Sequence, residues 1–139
     1  MEIHALIAEL DQLQLPTDQY AITSSGVLAI RSLRSAHDLD IIVTSDLWVK
    51  LSRTYPITQT KDFQSINIGN IQILGTGSYF TNNDSYPVDA QIQSADLIQG
   101  KKFVSLAIVR DIKLTRNKTK DIIDIQIIDD YLANNSTPK

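Results

Sequence analysis

At 139 residues, with 42% hydrophobic and 21% charged, the chain has the size and composition of one globular domain; disorder and, with five glycines and four prolines, collagen-like or low-complexity structure are excluded. The absence of cysteine excludes a disulfide scaffold, a thiolate metal site and a thiol nucleophile, and with only His4 and His37 any metal would be held mainly by oxygen, as Mg²⁺ is. The net charge of −3 excludes a general polycation, yet residues 101–120 hold seven Lys and Arg against one Asp, a local basic surface suited to a polyphosphate.

Ile3, Leu6, Ile7, Leu10 and Leu13 recur at helical spacing and predict a first helix over 3–13, stopped before Pro16. Tyr20 to Thr23 is short and β-prone, and Ser24-Ser25-Gly26 opens a run of helix formers from Val27 to Leu33. Asp38 to Val43 reads as a strand whose apolar second half makes it central. Thr44, Ser45 and Asp46 offer caps to a helix through Leu47, Trp48 and Leu51, with Trp48 in the core and Tyr55-Pro56 as the end. Phe63 to Leu74 predicts two paired strands around a Gly69-Asn70 turn. Residues 75–87 form the one long irregular stretch, of a kind that is often functional or mobile. A short helical piece follows over Val88 to Ile98, with Gly100 as its stop, and then a helix over Phe103 to Leu114, apolar nearly all round and so buried. Asn117 breaks the chain before a last helix over Lys118 to Leu132, with Ile122, Ile125, Ile128 and Leu132 on one stripe. The expectation is one α/β domain over 1–133 and a polar, frayed tail over 134–139. No apolar run approaches the ~18–20 residues of a membrane span, so a cytoplasmic chain without a leader is expected.

The chemistry concentrates between Thr23 and Val43. A strand delivers Ser24-Ser25-Gly26 to a helix start, and a second strand opens on Asp38-Leu39-Asp40. Residues i and i+2 of a strand face one side, so both carboxylates point one way and their repulsion favours a cation between them. Mg²⁺ accepts one or two carboxylates together with phosphate oxygens. A Ser-Ser-Gly helix start offers free N–H groups and the positive end of a helix dipole to a phosphate. Together these are the equipment of metal-assisted phosphoryl or nucleotidyl transfer. The plainer reading is an N-cap serine beside a solvated Asp-x-Asp.

Thr23-Ser24-Ser25-Gly26 through Arg34, followed by Asp38-Leu39-Asp40 and Ile41-Ile42-Val43, resembles the signature of the nucleotidyltransferase superfamily (DNA polymerase β-like fold). Its small bacterial members read Gly-Ser-Gly, then Gly-Ile-Arg, then Asp-x-Asp ahead of a hydrophobic strand. Ile68 to Ile73 is similar to their strand ending in an acidic residue. Lys113, Arg116, Lys118, Lys120-Asp121 and Asp124-Ile125 are similar to their Lys…Gly-Arg-x-Lys-Asp…Asp-Ile helix pair. The resemblance covers about residues 20–132 and implies an α+β fold, a small mixed sheet with helices packed on it. Three positions depart from it. Ser24 and Ser32 stand where the pattern has glycine, and Gln72 stands where it has a third carboxylate. Glutamine is neutral and cannot replace a carboxylate as a charged metal ligand; Asp84 and Asp89 are the acids nearby in sequence that would substitute.

The resemblance implies a metal-dependent enzyme moving a nucleoside monophosphate from an NTP to a hydroxyl acceptor, which would be a small molecule, a protein or RNA. Asp38 and Asp40 would hold Mg²⁺, and Ser24, Ser25 and Gly26 the phosphates. Arg34, Lys113 and Arg116 would serve the nucleotide, with Arg34 also bracing the Asp-x-Asp loop and Lys118 and Lys120 near the acceptor. Each of these has a plainer alternative. The basic cluster also reads as a solvated helix surface, with a Lys120–Asp124 pair at i,i+4 and with Asp121 and Asp124 favouring the helix N-terminus. Tyr79, Phe80 and Tyr86 would either stack a base or tuck under their own loop. For the whole chain the rival is a catalytically degenerate nucleotidyltransferase-like binding module acting through a protein partner, as in a toxin–antitoxin-type system. RNA binding through 101–120 is a third reading, without the interleaved aromatics of a single-strand binder.

Overall fold

The computed structural model describes residues 2–135. Its centre is a pair of apolar strands. β1 (Tyr20–Thr23) and β2 (Leu39–Val43) run antiparallel, with Tyr20 opposite Val43 and Thr23 opposite Asp40. Every residue of β1 is buried, and so are Leu39, Ile41, Ile42 and Val43, as expected of strands covered on both faces. β5 (Ile71–Leu74) joins β2 in parallel, placing Gln72 opposite Asp40. β4 (Gln64–Ile68) and the edge strand β3 (Thr58–Gln59) extend that side. On the other side β7 (Lys101–Phe103) lies parallel to β1 and carries β6 (Asp96–Ile98). Among the described residues this makes a mixed seven-stranded sheet in the order β3-β4-β5-β2-β1-β7-β6. The helices are α1 (Ile3–Asp11), α2 (Ser25–Ala29), α3 (Ser45–Ser52), α4 (Val88–Gln93), α5 (Leu106–Arg116) and α6 (Thr119–Asn135). Leu6 and Leu10 of α1, Leu28 of α2, and Val109 and Ile112 of α5 meet Ile22, Leu39, Ile41 and Ile66 of the sheet in one core. The mixed α+β architecture is the one expected. No helix among the described residues is long and apolar enough to cross a membrane.

Local sequence explains how this frame closes on itself. α1 stops at Asp11 rather than Leu13, because Gln14 turns left-handed (φ 53°) ahead of Pro16. The Glu9 carboxylate accepts from the Asn70 backbone N–H at 2.6 Å and from its side-chain amide at 3.0 Å, clamping the β4–β5 turn to the helix. α2 is shorter than the expected 27–33 run. It closes by a Schellman pair of bonds, Leu33 N–H to Leu28 and Ser32 N–H to Ala29, which puts Ser32 at φ 60°.

The second half departs further from expectation. The helix expected over 88–98 ends at Gln93, and 96–103 is instead the β6–β7 hairpin. Gln99 (φ 51°) and Gly100 (φ 79°) are consecutive left-handed residues of the turn, so Gly100 ends a strand, not a helix. Phe103 therefore belongs to β7, and α5 begins after Ser105, whose hydroxyl accepts from Ile108 N–H at 3.4 Å. The helix is not buried all round, since Leu114 is 53% exposed. Asn117 does break the chain, in left-handed conformation, its N–H bonding Lys113 O. In α6 the expected apolar stripe holds at Ile128, which is buried, and at half-buried Ile125 and Leu132, but not at Ile122, which faces solvent with Ile123 while Asp121 and Asp124 turn inward. Trp48 is half-buried against Gly75. The expected polar tail begins inside α6 at 134–135, and its remainder lies outside the described residues.

Candidate active site

The β1–β2 register builds the site. Thr23 pairs with Asp40 across β1 and β2, and Asp40 with Gln72 across β2 and β5, so three adjacent strands present these side chains in one row on one face. At the end of β1 the chain must turn at once into α2, and Ser24 does this at φ 57°, ψ −134°. That backbone region costs a residue with a Cβ roughly 1–3 kcal/mol. Both serines that stand where the family pattern has glycine, Ser24 and Ser32, thus sit at positive φ. Gly26 is the spacer behind them. A Cβ there would lie 2.7 Å from Ile22 Cγ2 and 3.1 Å from Leu39 Cδ1, so only glycine lets α2 sit this close to the sheet.

Ser24, Ser25, Arg34, Asp38, Asp40, Gln72, Lys113 and Arg116 line one cleft of about 300 Å³. Of the residues expected to hold metal or nucleotide, only Gly26 is absent from this cleft, and it packs underneath; Lys120 also lines it, whereas Lys118 does not. A second lobe of about 210 Å³ continues from it towards the 75–87 loop, and the two share Ser24, Asp40, Gln72, Arg116 and Lys120. Asp38 is exposed, whereas Asp40 is half-buried and its Oδ1 is buried with no hydrogen-bond partner. Burial and the Asp38 charge push the Asp40 carboxyl up to about 6, against the pull of Lys120, Arg116 and Lys113.

Behind this lies an ion network that the sequence spacing does not reveal. Lys113, 1% exposed, places its ammonium 3.0 Å from Asp124 and 3.5 Å from Asp121. Arg34 donates to both Asp124 oxygens, at 2.6 and 2.7 Å. Arg116 donates bidentately to Asp121, at 2.9 and 2.6 Å, and stacks 5.2 Å from the Phe80 ring. Asp121 also accepts from Lys118 N–H at 3.0 Å, capping α6. Burial disfavours the Asp121 charge, but Arg116 and that N–H outweigh it and hold the carboxyl down at about 2. Asp124 is thus claimed by Arg34 and Lys113, and not by Lys120 as the i,i+4 spacing suggested. Lys118 and Lys120 are exposed and in no ion pair among the described residues. Elsewhere in the basic run, Lys101 pairs with Asp11 and Arg110 with Asp129.

Asp84 and Asp89 do not join the cleft. Asp84 lines a cavity with Tyr86 and Asp111, and Asp89 lies beside Val43, at the far end of β2 from Asp38. Among the described residues no three His, Cys, Asp or Glu side chains gather into a metal-holding group. A hard cation would find two carboxylates, one with an unpartnered buried oxygen, and the neutral oxygen of Gln72. That donor set fits Mg²⁺ provided its remaining positions are filled by phosphate and water.

The chain superposes on a Thermotoga maritima crystal structure named "putative nucleotidyltransferase" with a TM-score of 0.53, covering 95% of this chain and 92% of that one at 14% identity. The fold is nucleotidyltransferase-like. No family model and no curated protein matches the sequence. In this fold the Asp-x-Asp strand is β2, at the centre of the sheet, with both acids at the cleft end. Sequence reasoning missed the second lobe and the inward turn of Asp121 and Asp124. The lobe is assembled from segments far apart in the chain, and the aspartates sit among isoleucines that mimic an inner stripe.

Proposed function

We propose that this chain is a metal-dependent nucleotidyltransferase that moves a nucleoside monophosphate from an NTP to a hydroxyl acceptor. The observation that carries the reading is the Asp38–Asp40 pair at one cleft with the unpartnered Oδ1 of Asp40, where Lys120 lines the same cleft and Lys118 the adjoining lobe, neither in an ion pair among the described residues. The partial burial of Asp40 beside the charge of Asp38 is a cost to the fold that a bound cation would relieve. Mg²⁺ held there would polarise the phosphate under attack and offset the charge that builds on it. The chain's own part is to orient the nucleotide. Asp38 and Asp40 fix the cation, Lys118 and Lys120 draw in the phosphates, and the paired Arg116 and Lys113 set the field behind them. An acceptor oxygen then forms a bond to the α-phosphorus as the bond to the bridging oxygen breaks and pyrophosphate departs. The acceptor proton leaves to solvent or to a cleft carboxylate.

Gln72 favours a second reading, a nucleotide-binding module without transfer acting through a protein partner. It lies in register with Asp40, and its amide has no partner among the described residues. Thermal-shift titration with ATP, GTP, CTP and UTP, with and without Mg²⁺, tests the shared premise. A ligand at a hundred times its Kd stabilises by about 2.7 kcal/mol, which is several degrees for a domain of this size. A Mg²⁺-dependent shift that Asp40→Asn abolishes supports the site, and the absence of any shift in the wild type rejects it. Radiolabel transfer from the bound NTP then separates enzyme from module.

A further inference from the structure

We infer that the second lobe is the nucleobase subsite and that the ring of Tyr79 is its stacking platform; this rests on the nucleotide reading above. Three aromatics lie in the 75–87 loop, and the structure gives them different fates. Phe80 is 2% exposed beneath Arg116, and the Tyr86 hydroxyl donates to the Asp111 carboxylate. Tyr79 remains 48% exposed, lines the lobe, and has no polar partner among the described residues.

The loop that presents it is fixed rather than loose. Fully buried Gln91 donates to the carbonyls of Phe80 and Tyr86, each at 2.9 Å, and the Thr81 hydroxyl donates to Gly75 O at 2.7 Å. Gly77, at φ 96°, brings the loop so close to the start of β4 that a Cβ would lie 2.4 Å from Asp62 O. A platform held this way loses little entropy when a ring settles on it. The lobe's 210 Å³ suits one ring system rather than a polymer or a folded partner. Its direction also fits a nucleotide. Lys118 lines this lobe, Lys120 and Arg116 line its junction with the first, and Asp40 stands at that junction. A base on Tyr79 would therefore send its phosphates past two unpaired lysines to the carboxylates.

The test is calorimetric titration of the wild type, Tyr79→Ala and Tyr79→Phe with inorganic tripolyphosphate and with whichever of the four NTPs binds tightest, all with Mg²⁺. Stacking predicts that Tyr79→Ala weakens the NTP by about 5- to 150-fold, leaves tripolyphosphate within about twofold, and is rescued by Tyr79→Phe. Equal loss for both ligands, or no loss for either, overturns the subsite while the nucleotide reading stands. Tripolyphosphate binding as tightly as every NTP overturns it too. A wild type that binds neither ligand removes the nucleotide reading and this inference with it. Unchanged thermal midpoints in the two variants establish that the comparison is between folded proteins.

Discussion

Replacing Asp40 by Asn separates what this carboxylate costs the fold from what it does in the cleft. Its carboxyl is raised from 3.8 to about 6 by burial and by the Asp38 charge. An acid with a higher pKa folded than unfolded binds more protons in the native state between those two values. Its contribution to stability is therefore greatest below about pH 4, falls as the pH rises through 4–6, and stays reduced above that. That rise, at ~1.4 kcal/mol for each tenfold change in proton affinity, puts the cost near 3 kcal/mol at neutral pH. The variant keeps a polar group in the same place, with the same difficulty in finding a partner, so about 2 kcal/mol of that is expected back. At roughly 2.1 cal/mol/K per residue of unfolding entropy, this raises the midpoint of the 139-residue chain by about 7 °C. Urea unfolding of both proteins at pH 4 and pH 7.5 makes the measurement. Asp40→Asn should be the more stable at pH 7.5, equal or weaker at pH 4, and deaf to Mg²⁺ and NTP throughout. Parallel stability curves for the two proteins across this range would refute the reasoning, because they would mean that the charge of Asp40 is already compensated without a ligand.

Three other substitutions probe the frame around that acid. Asp124→Ala takes from buried Lys113 its 3.0 Å partner and leaves only Asp121 at 3.5 Å; a loss of about 3 kcal/mol in urea unfolding is expected, and a loss under about 1 kcal/mol would reduce the network to ordinary surface pairing. Ser24→Gly relieves the backbone at φ 57°, ψ −134° and should add about 1 kcal/mol with the NTP-dependent thermal shift kept; a drop in stability would show that the serine hydroxyl has a structural task. Gly26→Ala pushes a methyl to 2.7 Å from Ile22 Cγ2 and should lower stability by about 1–3 kcal/mol, whereas an unchanged melting midpoint would mean that Ile22 simply rotates aside.

How much of this was legible in the sequence depends on how local each signal is. Asp38, Asp40 and the Ser24-Ser25-Gly26 turn could be read because strand periodicity and a helix start are short-range facts, and all of them except Gly26 reach the cleft. The central position of β2 was legible for the same reason, from its unbroken apolar half. The β6–β7 hairpin was not, because a glycine after a polar residue ends a helix and turns a hairpin with equal ease. Only the left-handed Gln99 beside Gly100 and the parallel pairing of Phe103 with Ile22 distinguish them. In its first turns α6 has an inner face that differs from the apolar stripe, for a physical reason. Its isoleucines at 122, 123, 125, 127 and 128 surround the helix so fully that hydropathy assigns no inner face. The choice was made by charge, since Lys113 and Arg116 on α5 and Arg34 after α2 pull Asp121 and Asp124 inward and leave Ile122 and Ile123 in solvent.

The same network decides what an incoming nucleotide meets. Arg34, Lys113 and Arg116 look from the sequence like triphosphate ligands, but their charges are largely answered by Asp121 and Asp124. What stays in no ion pair among the described residues of the two lobes is Asp38 in the first, Asp40 and Lys120 at the junction, and Lys118 and Asp62 in the second. The two acids alone offer a divalent cation too few ligands, and the two exposed lysines alone offer a polyphosphate little more than screened attraction. On the proposed reading, a cation that brings its phosphate oxygens with it would satisfy both halves at once, its coordination filled from the nucleotide and the phosphates brought to the lysines. Neutral Gln72 fits this arrangement, because a third fixed negative charge in the Thr23–Asp40–Gln72 row would raise the Asp40 carboxyl still further before any ligand arrived. On that reading the cleft would take metal and triphosphate as one species, and its affinity for either alone should be the weaker for it.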